Sequence, residues 1–505
     1  MLSIKNSVVA LGFYFLNLVL QFYSRQVFFM ELGTEVLGLN TTATSLLQFL
    51  NLAELGVGSA IGVTLYKPLL DRNYKAINEI VSLQGWLYRK IAIFILGGSA
   101  LLMCFFPLIF NKTDLPLWYA YASYSVLLFS ALLGYFVNYK QIVLSANQQD
   151  YFIRFSYNAC MILKVICQII SMKVFANAYI WWLILEVVFA VIASVSLSVM
   201  IKKQCPYLNT KTSLGSQLKG KYPDILTKVR QMFFHKASRY ALTQTSPLII
   251  YAYATLTLVA IYGNYMLIAT GLTGLLTAMF DSMNSGVGNL VAEGKQSRII
   301  GVFRELFSSR FLIVSTISFC FYKLASPFIS LWIGADYIID NTSLIIIVLI
   351  FFLNTSRSVV DSYINAYGLF RDIWAPVIEA TINVSLSILL GRFFGLPGIL
   401  AGVAISLLLV VFCWKPYFLF KNGLKVSLWL YIKIYSKHLI VCFLCCSVMM
   451  IISNHIPIDA SSNYLSFVCT AFILGVLMLL MQGFILYFTE EGMKHFINRI
   501  MSLKK

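Results

Sequence analysis

The sequence predicts an all-α polytopic membrane protein with about 14 transmembrane helices. Three observations carry that reading. Of the 505 residues, 59% are hydrophobic and only 11% are charged, and long apolar windows recur from one end of the chain to the other. Soluble domains sit near roughly 45–50% apolar and about 25% charged residues. A water-soluble fold has no interior that could hide such a surplus, whereas hydrocarbon solvates it and lifts the size limit on aqueous cores.

The apolar windows run near 7–30, 42–66, 88–110, 117–139, 152–175 and 178–201, then near 240–262, 265–290, 309–332, 341–365, 373–393 and 396–418, and lastly near 438–456 and 464–488. A helix of roughly 20 apolar residues crosses about 30 Å of hydrocarbon, so most windows suffice for one passage. The run from Ser7 to Met30 exceeds a signal-peptide core and has no small-residue cleavage site, so it reads as a retained first span. The expected organisation is an N-lobe of spans one to six (1–201), a basic cytoplasmic linker (202–239), a C-lobe of spans seven to twelve (240–420), and a segment with spans thirteen and fourteen and a cytoplasmic tail (421–505).

The net charge of +18 would suggest nucleic acid in a soluble protein, but its placement excludes that class here. The N-terminus, the even-to-odd connections and the C-terminal tail together collect 31 of the 38 Lys and Arg residues. The other seven are Arg25, Lys112, Lys164, Lys173, Lys323, Arg357 and Arg392. By the positive-inside rule both termini are cytoplasmic and the number of spans is even.

Two echoes relate the lobes. "LGVGSA" at 55–60 near the end of span two returns as "SGVGNL" at 285–290 near the end of span eight, and "SANQQDYF" at 145–152 resembles "NAYGLFRDIW" at 365–374. Each pair is offset by six spans in the same order, which points to two pseudo-symmetric six-helix lobes related by an axis along the membrane normal.

Metal and enzyme chemistry find little footing. The ten cysteines lie mostly in apolar runs, and the tightest group, Cys442, Cys445 and Cys446, has no second CxxC or nearby histidine to complete a zinc set. There is no HExxH, GxSxG or Walker sequence, and external connections are too short to carry a catalytic domain. No catalytic residue, metal site or cofactor is therefore expected, and without ATP hydrolysis the driving force falls to an ion gradient, H⁺ or Na⁺, or to downhill flux.

Charges at membrane depth are the candidates for mechanism, since each costs about 3 kcal/mol or more unless it meets a cavity or a partner. The cations are Arg25 in span one, Lys164 in span five and Arg357 in span ten. The anions are Glu54, Glu186, Asp281, Asp361 and Glu379. Lys164 lies near mid-membrane, beyond easy reach of headgroups, and with Arg25 and Arg357 it is expected to line an electropositive cavity for a pyrophosphate. Pairing with a buried carboxylate is the competing account of each cation. Arg357 and Asp361 are spaced to pair along one helix face. Glu54, Asp281 and Asp361 are the ion-coupling candidates.

The segment "FFMELGTEVLGLNTTATSLLQFLNLAELGVGSAIGVTLYKPLLDRNYKAI", Phe28 to Ile77, resembles the start of bacterial polysaccharide-lipid flippases, the Wzx-type branch of the multidrug/oligosaccharidyl-lipid/polysaccharide exporter superfamily. It carries that family's ELG…E..GLN element between spans one and two and its LAELGxGSA…LYKPL element at the end of span two. "GLPGILAGVAIS" at 395–406 resembles the family's turn between spans eleven and twelve. The resemblance implies a MATE-like pair of six-helix bundles facing a central cavity, working as a monomer by alternating access in the bacterial cytoplasmic membrane. It implies an undecaprenyl-diphosphate-linked oligosaccharide as substrate, turned from the inner to the outer leaflet, with membrane lipids and other polysaccharide-assembly proteins as partners. A cation-coupled drug or metabolite exporter of the same superfamily is the first alternative, and a membrane-embedded glycan polymerase or transferase the second.

Overall fold

The computed structural model describes residues 2–502 apart from Leu55, Gln148, Ser282, Met283, Phe370, Arg371, Ile373, Ile456 and Pro457; some further side chains, including most of 231–244 and 281–286, lie outside the described set. The described residues contain helices, turns and no strand, and they form two compact units, Met1–Gly263 and Asn264–Lys505.

The first unit contains α1 (Leu2–Leu50), α2 (Val57–Leu70), α3 (Tyr74–Cys104), α4 (Trp118–Phe136), α5 (Asp150–Val174), α6 (Ala178–Gln204), the short α7 (Gly215–Lys221), α8 (Pro223–Tyr253) and the start of α9 (Leu256–Asp281). The second unit takes the rest of α9 and then α10 (Asn284–Glu293), α11 (Gln296–Trp332), α12 (Asn341–Ala366), α13 (Trp374–Leu424), α14 (Leu428–Asn454), α15 (Tyr464–Thr489) and α16 (Glu491–Ser502). Most apolar windows of the sequence fall on one of these helices, whereas 42–66, 240–262 and 265–290 each straddle a break between two. Ten of the described helices are long and apolar enough to cross a membrane: α3 to α6, α9 and α11 to α15.

Local signals set several helix starts. Asn73, Asp340 and Asn463 each accept a backbone N–H three residues on, at 3.0, 2.8 and 2.8 Å, satisfying donors that a helix leaves open. Glycine sets two breaks. Gly33 (φ 83°, ψ 170°) interrupts α1 and Gly395 (φ 59°, ψ −135°) interrupts α13, in backbone regions that L side chains rarely enter. At Gly395 the chain folds back on itself, since a Cβ at Gly402 would strike the backbone nitrogen of Ser387 and one at Gly398 the carbonyl of Leu390. Gly395→Ala is expected to lower stability by about 1–3 kcal/mol, read as an earlier thermal unfolding midpoint in detergent.

In the second unit α11 is the pillar, packing on α12, α14, α15 and α16. Its every-fourth-residue stripe Phe303, Phe307 and Phe311 meets Tyr363, Phe420, Tyr431 and Tyr435 largely edge-on, at ring separations of 5.2 to 5.8 Å. The outward faces of α14 and α15 are different: Phe443, Phe472, Phe484 and Phe488 are each about 70% exposed. Such a surface suits hydrocarbon and would drive aggregation in water.

The linker expected at 202–239 is partly a docked strap. Asn78 on α3 donates to the Tyr207 carbonyl and accepts from the Asn209 N–H, Ser82 accepts from the Lys211 N–H, and Glu79 accepts from Lys221 and from Tyr222, each at 2.6 Å. Gly85 and Gly215 allow this approach: a Cβ on Gly85 would meet Thr212 and Tyr139, and one on Gly215 would strike Trp86. Burial, and then the Glu79 carboxylate, push the Tyr222 phenol up. Beyond the strap, α8 packs on α1 and α2, and the compact units divide inside α9.

Candidate substrate and coupling sites

In the first unit, α5 and α6 bring Lys164 and Glu186 together. Gln168 follows Lys164 by one helical turn, and Glu186 lies on the buried stripe of α6 with Trp182, Ala190, Ala193 and Leu197. Lys164 Nζ donates to Glu186 Oε1 at 2.7 Å, and Gln168 Nε2 donates to Glu186 Oε2 at 3.0 Å. The lysine and glutamate side chains keep 15% and 10% exposure. A π-helical turn at Arg154–Asn158 precedes this face and rotates it relative to an unbroken helix. The local charge at Lys164 is therefore balanced, where the sequence suggested a positive surface.

Arg25 is engaged elsewhere. It donates through Nη2 to the Ala260 carbonyl at 3.1 Å, and Gly263 leaves the space it occupies. Glu54 is held by two phenols: Tyr88 donates to Oε1 at 2.8 Å and Tyr135 to Oε2 at 3.3 Å. Both rings are buried and meet edge-on at 5.5 Å. Tyr139 stacks edge-on against Tyr88 and hydrogen-bonds Thr210, so an aromatic chain runs from the docked strap to Glu54.

In the second unit, Arg357 Nε donates to Asp361 Oδ2 at 2.8 Å, the pair that their spacing predicts. Lys415 Nζ reaches the other oxygen of Asp361 at 3.1 Å, and Glu379 interacts with Arg357 through charge. Two cations and two carboxylates thus form a neutral cluster. One turn along α13 from Glu379, Asn383 is fully buried with neither side-chain amide atom hydrogen-bonded. The Asp281 side chain lies outside the described residues.

Two cations that the sequence grouped with cytoplasmic connections belong inside the protein. Lys415 follows the π-helical stretch Leu407–Trp414 in α13 and faces Asp361. Arg310 is 2% exposed within α11, donating to Ser362 Oγ at 3.3 Å and the Phe280 carbonyl at 3.2 Å, with its guanidinium 4.9 Å from the Phe280 ring. Both lie at the edges of apolar windows, 309–332 and 396–418, where hydropathy does not separate a charge packed inside the protein from one in the adjoining connection. The usable signal was the aromatic stripe at Phe303, Phe307 and Phe311, which carries the helix's buried face well before the apolar window opens.

The superposition that decides the fold covers nearly the whole chain. A structure described as the lipid II flippase MurJ in an inward closed conformation matches with a TM-score of 0.64 over 96% of this chain and 99% of that one, at 14% identity. This chain has a MurJ-like fold. The second likeness is to the inward-facing conformation of a multidrug resistance MATE family transporter of the MOP superfamily, with a TM-score of 0.62 over 83% of this chain and 99% of that one, at 13% identity. No protein-family model and no curated protein matches the sequence. The MATE and MurJ-like fold accommodates the all-α class expected from hydropathy and the two lobes expected from the internal echoes and the family resemblance, and identities this low establish fold alone.

Proposed function

We propose that the protein is a flippase that carries an undecaprenyl-diphosphate-linked oligosaccharide from the inner to the outer leaflet of a bacterial cytoplasmic membrane by alternating access. The observation that carries this reading is Lys164, an ammonium paired with Glu186 on a helix long and apolar enough to cross a membrane, with 15% of its side chain exposed. A lysine within a membrane span is costly unless it serves a ligand or a partner, which makes Lys164 a candidate anion ligand. The Phe28–Ile77 motifs support the lipid-linked glycan, and the likeness to MurJ extends over more of the chain than the likeness to the MATE transporter. Arg25 and Arg357 are assigned as further cations for the substrate's phosphates.

An ion gradient drives the cycle in this reading, with Glu54, Asp361 and Asp281 as coupling carboxylates. Glu54 is the best placed of the described pair, because its described hydrogen-bond partners are neutral phenols, whereas Asp361 already faces two cations. Glu54→Gln is expected to abolish the response of transport to an imposed H⁺ or Na⁺ gradient while leaving downhill movement. An unchanged response would remove Glu54 from coupling.

The test of the function is reconstitution of the purified chain in liposomes, with a fluorescent lipid-diphosphate oligosaccharide on one leaflet and a cationic dye inside. The flippase reading expects the glycan lipid to change leaflets and the dye to be retained. Dye export without glycan movement would establish the exporter instead.

A further inference from the structure

Glu186 is a buried carboxylate that the proposed cycle leaves unused, although it touches the lysine assigned to the substrate. We propose that Glu186 is the exchangeable counter-ion of Lys164: the substrate's diphosphate takes the ammonium from it, and Glu186 takes up one proton as it is released. This inference rests on the lipid-diphosphate reading and names how that site is gated.

The geometry carries it. One oxygen of Glu186 is held by a charged donor, Lys164 at 2.7 Å, and the other by a neutral donor, Gln168 at 3.0 Å. Gln168 is fixed in turn on the Trp182 carbonyl at 3.2 Å. When the ammonium moves to a phosphate oxygen, the neutral donor stays behind, a set of partners suited to an uncharged carboxyl. A bare carboxylate in that setting would bear its desolvation cost without compensation. Both side chains keep some exposure, 15% and 10%, so the pair is not sealed.

Among the described contacts no second cation touches Glu186; Arg154, on the π-helical turn that packs against α6, has a buried Nε with no hydrogen-bond partner. Tyr157 on the π-helical turn interacts electrostatically with Glu186. On the helices that pack against α6, the hydroxyl of Tyr124 of α4 pairs with Ser99, Tyr135 of α4 holds Glu54, and Arg25 of α1 is on the Ala260 carbonyl. The exchange balances simply. The lysine keeps its proton throughout, a hydronium ion from water at the site gives its proton to the Glu186 carboxylate, and substrate release returns that proton to water as the ion pair reforms.

The experiment is titration calorimetry on the full chain in detergent, with an undecaprenyl-diphosphate-linked monosaccharide as probe, run in two buffers of different ionisation heat. The two diester phosphates of this probe have no second ionisation near neutrality, so proton exchange reports on the protein. Wild type is expected to take up about one proton per ligand bound, with affinity falling roughly tenfold per unit rise in pH while Glu186 is ionised in the free protein. Glu186→Gln should bind with no proton uptake and no such pH dependence. Binding by wild type without proton uptake, or uptake that persists in Glu186→Gln, overturns the counter-ion role and leaves the diphosphate reading standing. If folded wild type and Glu186→Gln both fail to bind the probe, the diphosphate reading falls and takes this inference with it. Should Glu186→Gln not fold, the wild-type proton count decides.

Discussion

Lys164→Gln is expected to destabilise the protein by about 3–5 kcal/mol, the usual consequence of removing one member of a buried ion pair. The loss comes less from the missing attraction than from Glu186, whose charge remains in a low-dielectric site with only Gln168 as a donor. Two comparisons separate this account from simple packing. The penalty should shrink at acid pH, where a proton on Glu186 substitutes for the lost ammonium. The double variant Lys164→Gln with Glu186→Gln should recover most of the stability, because two neutral amides can hydrogen-bond in the same space, and it should still fail to bind a lipid diphosphate. Unfolding midpoints in detergent across pH measure both. A double variant as unstable as the single one would mean that the pair is not the source of the loss.

Asp361→Asn carries the second large effect, again about 3–5 kcal/mol. Asp361 separates two cations, accepting from Arg357 on one oxygen and from Lys415 on the other. Neutralising it leaves Arg357 and Lys415 adjacent, with Glu379 opposing Arg357. Arg357→Gln should cost less, since Lys415 keeps its carboxylate and the like-charge contact disappears. If Asp361→Asn and Arg357→Gln were equally stable, the cluster would not be electrostatically tight, and Asp361 would be freer for an ion-coupling role.

The helical class and most apolar segments were legible along the chain, because each depends on local composition; the turn near Gly395 was legible only through the family resemblance, and the break at Gly33 appears only in the structure. Hydrocarbon selects apolar runs by composition, and a φ of 83° or 59° selects glycine by sterics. The Arg357–Asp361 pair was legible too, as both residues sit one turn apart on a single helix.

Partnerships across helices belong to the tertiary structure. Nothing in the spacing of residues 164 and 186 distinguishes an ion pair from two unrelated charges; the contact exists because the buried faces of α5 and α6 meet there. The same holds for Glu54 between Tyr88 and Tyr135, for the strap on α3, and for Arg310 and Lys415, which sequence placed in connections and packing placed beside Ser362 and Asp361. Composition could say that a charge at membrane depth must be satisfied, since the cost of leaving it bare is a property of the side chain and its solvent. Which atom satisfies it depends on the register in which helices far apart in sequence pack together.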